Sequence, residues 1–323
     1  MLDQARLNLT VTEVRQETPL IRIIRLTPAG DASLPSWEAG AHIKVRLPQG
    51  DERSYSLVNL STDPSANTNP RSYLLGVRLE EPSQGGSAFM HSLKPGDVIA
   101  ASAPSNNFQL GPVTKPVILL AGGIGVTPLV SMAAELTARR HPFRFYYAGR
   151  TRAHLALLPA IEGLVGDRLA VHADDVSGLF DVVGLMTSLK DDEPLYCCGP
   201  TPMIELAIDT AKQLGWRDGR LHFEIFTAPQ PQAGDQAFEV VLKTSGESFH
   251  IPAGKSILDV LIEAGKDPMR DCKRGDCGIC QVEVIEGVPD HRDFILTDSQ
   301  KAAGKLMQIC VSRSKTPRLV LDL

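Results

Sequence analysis

The chain lacks a marked excess of either charge: 33 Lys and Arg against 38 Asp and Glu leave a formal net charge of −5 over 323 residues. No long run of one sign breaks that balance, so the basic patch of a polyphosphate-binding protein is missing and no nucleic-acid partner is expected. Long apolar runs are missing too. No stretch approaches the roughly 18 residues of a membrane span, so no membrane is expected. The start, MLDQARLNLTVTEV, has neither the basic-then-apolar order of a signal peptide nor the Arg-rich character of a transit peptide, and a cytoplasmic location follows. Cysteine is sparse, 6 in all. In a reducing compartment, clustered cysteines read as metal ligands before disulfides. Internal repeats are absent.

What is present is ample apolar material, 43% of residues, enough for a core in each of two or three domains. From Leu7 to about Gly111 the runs LNLTVTEV, LIRIIRL, HIKVRL, SYSLV, SYLLGVRL and DVIAAS are separated by Gly, Pro, Asn and Asp. This pattern predicts an antiparallel β-barrel over residues 1–111. At Val117 the apolar run VILLA meets GGIGVTP and then a helical period through Leu129, Met132, Ala133 and Leu136. The alternation continues through FRFYYA, RLAVHA, PLYCC, a helix with Thr201 as N-cap and Pro202 at N1, and LHFEIF. Residues 112–226 therefore predict an α/β domain with a parallel sheet and helices on both faces. TAPQPQAGDQ, residues 227–236, reads as an extended linker. Beyond it, residues 237–323 begin with a hairpin, FEVVLKTSGESFHIP, and a helix capped by Ser256, which predicts a small α+β domain.

That last domain contains RDCKRGDCGICQVEV, with Cys272, Cys277 and Cys280 spaced x4 and x2, and Cys310 as the remote fourth. A binuclear iron–sulfur cluster needs four thiolates, three of which one tight loop can supply. Gly275 and Gly278 would let that loop bend its amides toward the inorganic sulfides. Zinc is the alternative, but its sites usually present two separated ligand pairs. The spacing resembles that of plant-type ferredoxins, which implies a β-grasp domain from about Phe238 to Leu323.

Upstream, Arg53, Tyr55 and Ser56 in RSYSL resemble the R-x-Y-S signature of the ferredoxin–NADP reductase superfamily, whose members contact flavin there. A guanidinium can pair with a flavin phosphate, a tyrosine can lie along the ring, and a serine can bond its edge. An ordinary alternating strand would carry the same letters. Gly76, Val77 and Arg78 on a strand, followed by Gly85, Gly86 and Ser87 opening a helix, suit a phosphate at a helix N-terminus or a plain turn. Gly122, Gly123 and Gly125 form a G-G-x-G-x-T-P turn, distinct from the G-x-G-x-x-G fingerprint. It resembles the superfamily's nicotinamide-dinucleotide motif, which also implies Thr127 near the flavin. Cys198, Gly199 and Pro200 match its C-G-P element, with Cys197 read as a core residue. Glu224 and Phe226 match its terminal E-x-F, making Phe226 a candidate cover for the flavin ring, although both could simply pack at the sheet end.

The order of flavin barrel, nicotinamide domain and C-terminal ferredoxin resembles the phthalate dioxygenase reductase family, including vanillate demethylase reductases, over essentially the whole chain. The resemblance implies FMN, with FAD as the alternative, since no aromatic-bearing adenine pocket follows Ser87. It implies NADH as donor and a Rieske-type terminal oxygenase as acceptor. The acidic VHADD, residues 171–175, would repel a 2′-phosphate, while Arg150 and Arg152 argue for NADPH. Catalytic roles are expected for Cys198, Glu224 and Phe226, and Lys273 and Arg274 are expected to face an acidic partner surface. A non-enzymatic redox module and a zinc-stabilised FAD reductase are the alternatives.

Overall fold

The computed structural model describes residues 6–30, 32–63, 65–83, 85–190, 192–227 and 231–323. The first layer is built of β1 (Leu7–Thr18), β2 (Ile21–Pro28), β3 (His42–Arg46), β4 (Glu52–Ser56), β5 (Tyr73–Arg78) and β6 (Val98–Ala101), in which alternation is interrupted by adjacent buried residues such as Ile23 and Ile24. They pair antiparallel in the order β4-β3-β6-β1-β2-β5, and a bridge between Leu57 and Leu75 joins the two ends, curling the sheet into a barrel. Leu9, Val11, Ile24, Ile43, Val45 and Leu75 point inward into one core, onto which Met90 of α1 (Gly86–Ser92) also packs.

The second layer is a parallel sheet of β7 (Val117–Gly122), β8 (Phe143–Gly149), β9 (Leu169–Ala173), β10 (Leu195–Cys198) and β11 (Leu221–Glu224), in the order β11-β10-β7-β8-β9. Every residue of β7 is buried. A central parallel strand covered on both faces reads as an unbroken apolar run, which is why VILLA shows no alternation. The intervening helices are α2 (Val126–Ala138), α3 (Leu158–Val165), α4 (Asp174–Ser177), α5 (Val182–Ser188) and α6 (Thr201–Gln213). Strand order reverses between β7 and β10, so their C-terminal ends flank the crevice where α/β sheets bind ligands. The expected Thr201 cap is corrected: Pro200 takes that place, its carbonyl accepting from Met203 and Ile204 N–H, and Thr201 is the first helical residue.

Barrel and parallel sheet belong to one unit, Met1–Glu224. Ser131 of α2 joins them, its Oγ donating to Leu57 O at 2.8 Å while accepting from Asn59 N at 2.9 Å. The Tyr196 hydroxyl likewise accepts from Gly111 N at 3.1 Å.

The second unit is Ile225–Leu323. Its strands are β12 (Phe238–Leu242), β13 (Ser248–Ile251), β14 (Gln281–Glu286), β15 (Pro289–Asp290), β16 (Leu306–Gln308), β17 (Arg313–Ser314) and β18 (Arg318–Leu321). Five of them form the mixed sheet β13-β12-β18-β14-β16, parallel between β12 and β18, and β15 pairs with β17. Helix α7 (Ile257–Glu263) starts at the expected Ser256, whose Oγ accepts from Asp259 N, and α8 (Asp298–Ala303) starts from a Thr297 capping box. Of the expected extended linker, Ala228, Pro229 and Gln230 lie outside the described residues. Its far end is pinned: Arg292 holds both oxygens of Asp235, at 3.0 and 2.5 Å, and Arg313 donates to Gln236 O at 3.0 Å. Among the described residues no helix is long and apolar enough to cross a membrane.

Ser131→Ala strands one backbone donor and one acceptor between barrel and sheet. Calorimetry should show the first unit destabilised by about 1–3 kcal/mol, with the transition of the second unit unmoved.

Candidate functional site

On the barrel, Arg53 and Tyr55 lie two apart on β4 and share a face, with Ser56 on the other. Helix α1 begins against that face: a Cβ on Gly86 would lie 2.7 Å from Arg53 Cγ and 3.2 Å from the Tyr55 hydroxyl. Burial pushes the Tyr55 phenol well above its ordinary value, against the pull of Arg53. Ser56 Oγ is buried with no hydrogen-bond partner among the described residues. Gly85 precedes α1 with φ of 93°. Ser87 Oγ accepts from Glu80 N at 3.1 Å and lies 3.0 Å from Ser83 Oγ, while Ser83 accepts from Gly85 N and Ala88 N, so Ser83 organises the turn. Arg78 pairs with Glu80 at 2.9 Å, and Val77 is buried.

Gly76 of β5 faces α2 so closely that a Cβ would lie 2.8 Å from Thr127 Cγ2. Thr127 Oγ1 donates to Ile124 O at 3.0 Å, so its methyl group faces the barrel strand. At the sheet edge the two glycine motifs cross. A Cβ on Gly125 would sit 2.2 Å from the Cys198 carbonyl oxygen, and one on Gly122 would sit 2.6 Å from Pro200 Cδ and 3.2 Å from Gly199 Cα. Only backbone fits there. Gly122 and Gly125 are thus buried against Cys198, Gly199 and Pro200 at the switch point, with Gly123, Gly199 and Pro200 reaching solvent beside them. Cys197 is buried and pushed up to about 12 by desolvation, as a core thiol should be. Glu224 ends β11 directly opposite Cys198 and is buried. Phe226, half-buried, is the second residue of the C-terminal unit.

Beyond β9, Asp174 lies 3.4 Å from His172, and Asp175 N donates to Arg150 O at 2.9 Å. Arg152 is committed to Glu162 at 2.5 Å.

In the C-terminal unit the four thiols converge. Cys272 lies beside Cys277 and Cys310, and Cys280 beside Cys310. The neighbouring Cys277 and Cys310 hold the Cys272 sulfur toward thiolate, and are themselves pushed up. Among the described residues no three His, Cys, Asp or Glu side chains surround one point as a single metal ion requires. The sulfurs run in the order Cys277, Cys272, Cys310, Cys280, each beside the next, and four thiolates are what a binuclear cluster asks for. Cys280 and Cys310 belong to the domain core, while Cys272 and Cys277 are partly exposed.

The loop is shaped for this. Lys273 and Gly275 have φ of 56° and 83°. A Cβ on Gly275 would meet Val311 Cγ2 at 2.7 Å, so glycine is required by backbone and by space. Arg274 N donates to Cys272 Sγ at 3.2 Å, and Cys280 Sγ to the buried Gln308 Oε1 at 3.5 Å. The expected outward Arg274 is corrected: it is buried, its Nε 3.9 Å from Asp276, and Lys273 alone of the pair reaches solvent. Sequence reading passed over Ser83, Asp276 and Gln308; only the Asp276 position beside Cys277 gave any signal.

The family described as 2Fe-2S iron-sulfur cluster binding domain matches residues 240–315. Phenoxybenzoate dioxygenase subunit beta of Ectopseudomonas oleovorans is 41% identical over 298 residues, 92% of this chain and 90% of its own. Phthalate dioxygenase reductase of Burkholderia cepacia is 37% identical over 92% of this chain and 91% of its own. Among solved structures, a phthalate dioxygenase reductase described as modular for electron transfer from pyridine nucleotides to 2Fe-2S superposes with a TM-score of 0.74 at 35% identity, covering 99% of this chain and 98% of that one. An intact type IV self-sufficient cytochrome P450 monooxygenase gives a TM-score of 0.77 at 32% identity, but this chain spans only 41% of its length. With this similarity extending over both units, the chain belongs to the phthalate dioxygenase reductase family.

Proposed function

We propose that this protein carries electrons from NADH through FMN and a 2Fe–2S cluster to a Rieske-type terminal oxygenase. The observation that carries the reading is the gathering of three thiols of the 272–280 loop with Cys310. When bound, the flavin exchanges paired for single electrons between nicotinamide and iron, chemistry that side chains do not supply.

The residues divide the remaining work. Arg53 would pair with the flavin phosphate, the amides at Gly86 and Ser87 would face it, and Tyr55 and Ser56 would meet the ring system. Phe89 packs against the barrel core, and FMN is taken over FAD on the family resemblance. The edge where Gly123, Gly199 and Pro200 reach solvent would admit the dinucleotide, with Cys198 and Glu224 bordering the nicotinamide and Thr127 spacing helix from flavin strand. Phe226 would cover the flavin ring. Asp174 and Asp175 at the end of β9 would disfavour a 2′-phosphate, and the engagement of Arg152 by Glu162 removes one competing cation. The dioxygenase names of the relatives support an oxygenase as acceptor, and the partly exposed Cys272 and Cys277 suit electron exit there. All six cysteines are free, in keeping with action in the reducing cytoplasm.

Cys310→Ser should abolish the broad iron–sulfur absorbance and leave the flavin bands, a result read directly from the visible spectrum; an unchanged spectrum would remove Cys310 from the ligand set. Replacing both acidic residues, Asp174→Ser with Asp175→Arg, should shift the NADPH-to-NADH ratio of kcat/KM upward by about tenfold or more. Steady-state kinetics with both nucleotides checks this.

A further inference from the structure

Gln308 closes β16 directly opposite Gln281, the first residue of β14, and is completely buried. A buried amide destabilises a fold unless its donors and its acceptor are matched. Gln308 Nε2 donates to Gln281 Oε1 at 3.2 Å, and Gln308 Oε1 accepts from Cys280 Sγ at 3.5 Å. The main chain of the same residue is committed too: its carbonyl accepts from Val311 N at 3.3 Å and Ser312 N at 3.0 Å, closing the turn that carries Cys310. One residue thus touches the segments of two of the four clustered cysteines.

That arrangement suits Cys280 as a thiol and in no other state. A sulfur bound to iron carries no proton and can only accept. The Gln308 oxygen would then face a second acceptor, and a buried hydrogen bond would become a repulsion. A half-turn about the last side-chain bond exchanges Oε1 and Nε2 within the same volume and sets an N–H where the oxygen stood. The far end can follow, because Gln281 is exposed and free to turn its own amide toward the Gln308 oxygen. Two amides in series reverse their polarity together. A carboxylate in either place would only accept, and an ammonium would only donate.

We infer that the Gln281–Gln308 amide pair reverses when Cys280 becomes a ligand, and that Gln308 then donates to the Cys280 sulfur and raises the reduction potential of the cluster. The inference rests on Cys280 being a ligand, as in the reading above. Reduction adds one negative charge to the centre, and an N–H aimed at a ligand sulfur stabilises the reduced form more than the oxidised one. A higher potential makes the centre an easier acceptor for electrons from a flavin. Gln308 acts through Cys280, which makes it a positioning residue, and neither amide gains or loses a proton.

The test uses the full-length holoprotein. Gln308→Met keeps the length of the buried side chain and removes its N–H groups. Redox titration followed by EPR should show the one-electron reduction equilibrium of the cluster shifted about tenfold toward the oxidised form, a midpoint about 59 mV more negative. The flavin midpoint in the same samples should stay at its wild-type value. A purely packing role for Gln308 would leave the cluster midpoint unmoved, and a shift of the equilibrium below about twofold would overturn the inference. A second measurement uses wild-type protein made with glutamine carrying heavy nitrogen in its side-chain amide. Pulsed EPR of the reduced cluster should show coupling to that nitrogen, and the coupling should persist in Gln281→Met. Its absence from the wild-type protein would overturn the inference even if Gln308→Met fails to hold a cluster. If the wild-type protein assembles no 2Fe–2S centre, the reading of the cysteines fails and this inference falls with it; a centre with an unmoved midpoint overturns the inference alone.

Discussion

Everything downstream depends on bringing one remote sulfur to three that a single loop already holds. The loop manages its half with Lys273, Gly275 and Gly278 in left-handed backbone, which turns the chain tightly enough to face Cys272 and Cys277 toward each other. The sheet manages the other half. β14 pairs with β16 in register from Gln281 to Gln308, so Cys280, just before β14, and Cys310, just after β16, end up side by side. A slip of one residue would turn every side chain to the opposite face, so the apolar register of Val282 and Met307 also sets the ligand geometry.

The same economy governs the first unit. At the ends of β7 and β10 the backbones come so close that any side chain on Gly125 would strike the Cys198 carbonyl. The packing there excludes side-chain bulk. Thr127 and Ser131, one turn apart on α2, face the barrel: the methyl of one against Gly76, the hydroxyl of the other between Leu57 and Asn59. Flavin strand and nucleotide helix are therefore parts of one core, not two bodies joined by a loop at residue 111.

How much of this was legible follows the range of the interaction. Strands β1 to β6 are short apolar-rich runs cut apart by turn residues, and β7 is an unbroken apolar run buried throughout. The barrel and parallel sheet were readable for that reason, as was the Ser256 cap. The cluster-binding domain was readable because cluster chemistry restricts cysteine spacing. The Thr201 cap misled because Pro200, with a fixed φ, starts the helix one residue sooner. Asp235 looked like linker because its partners, Arg292 and Arg313, lie far along the sequence. Arg274 looked like a solvated loop charge for the same reason: nothing local says that its guanidinium turns inward beside Asp276.

The relay account stands or falls with the kind of metal centre held by Cys272, Cys277, Cys280 and Cys310. Quantifying iron, acid-labile sulfide and zinc in the purified intact protein tests it most directly. The account predicts two irons and two sulfides per chain with no zinc. One zinc per chain with no labile sulfide, after anaerobic reconstitution with iron and sulfide, would contradict it.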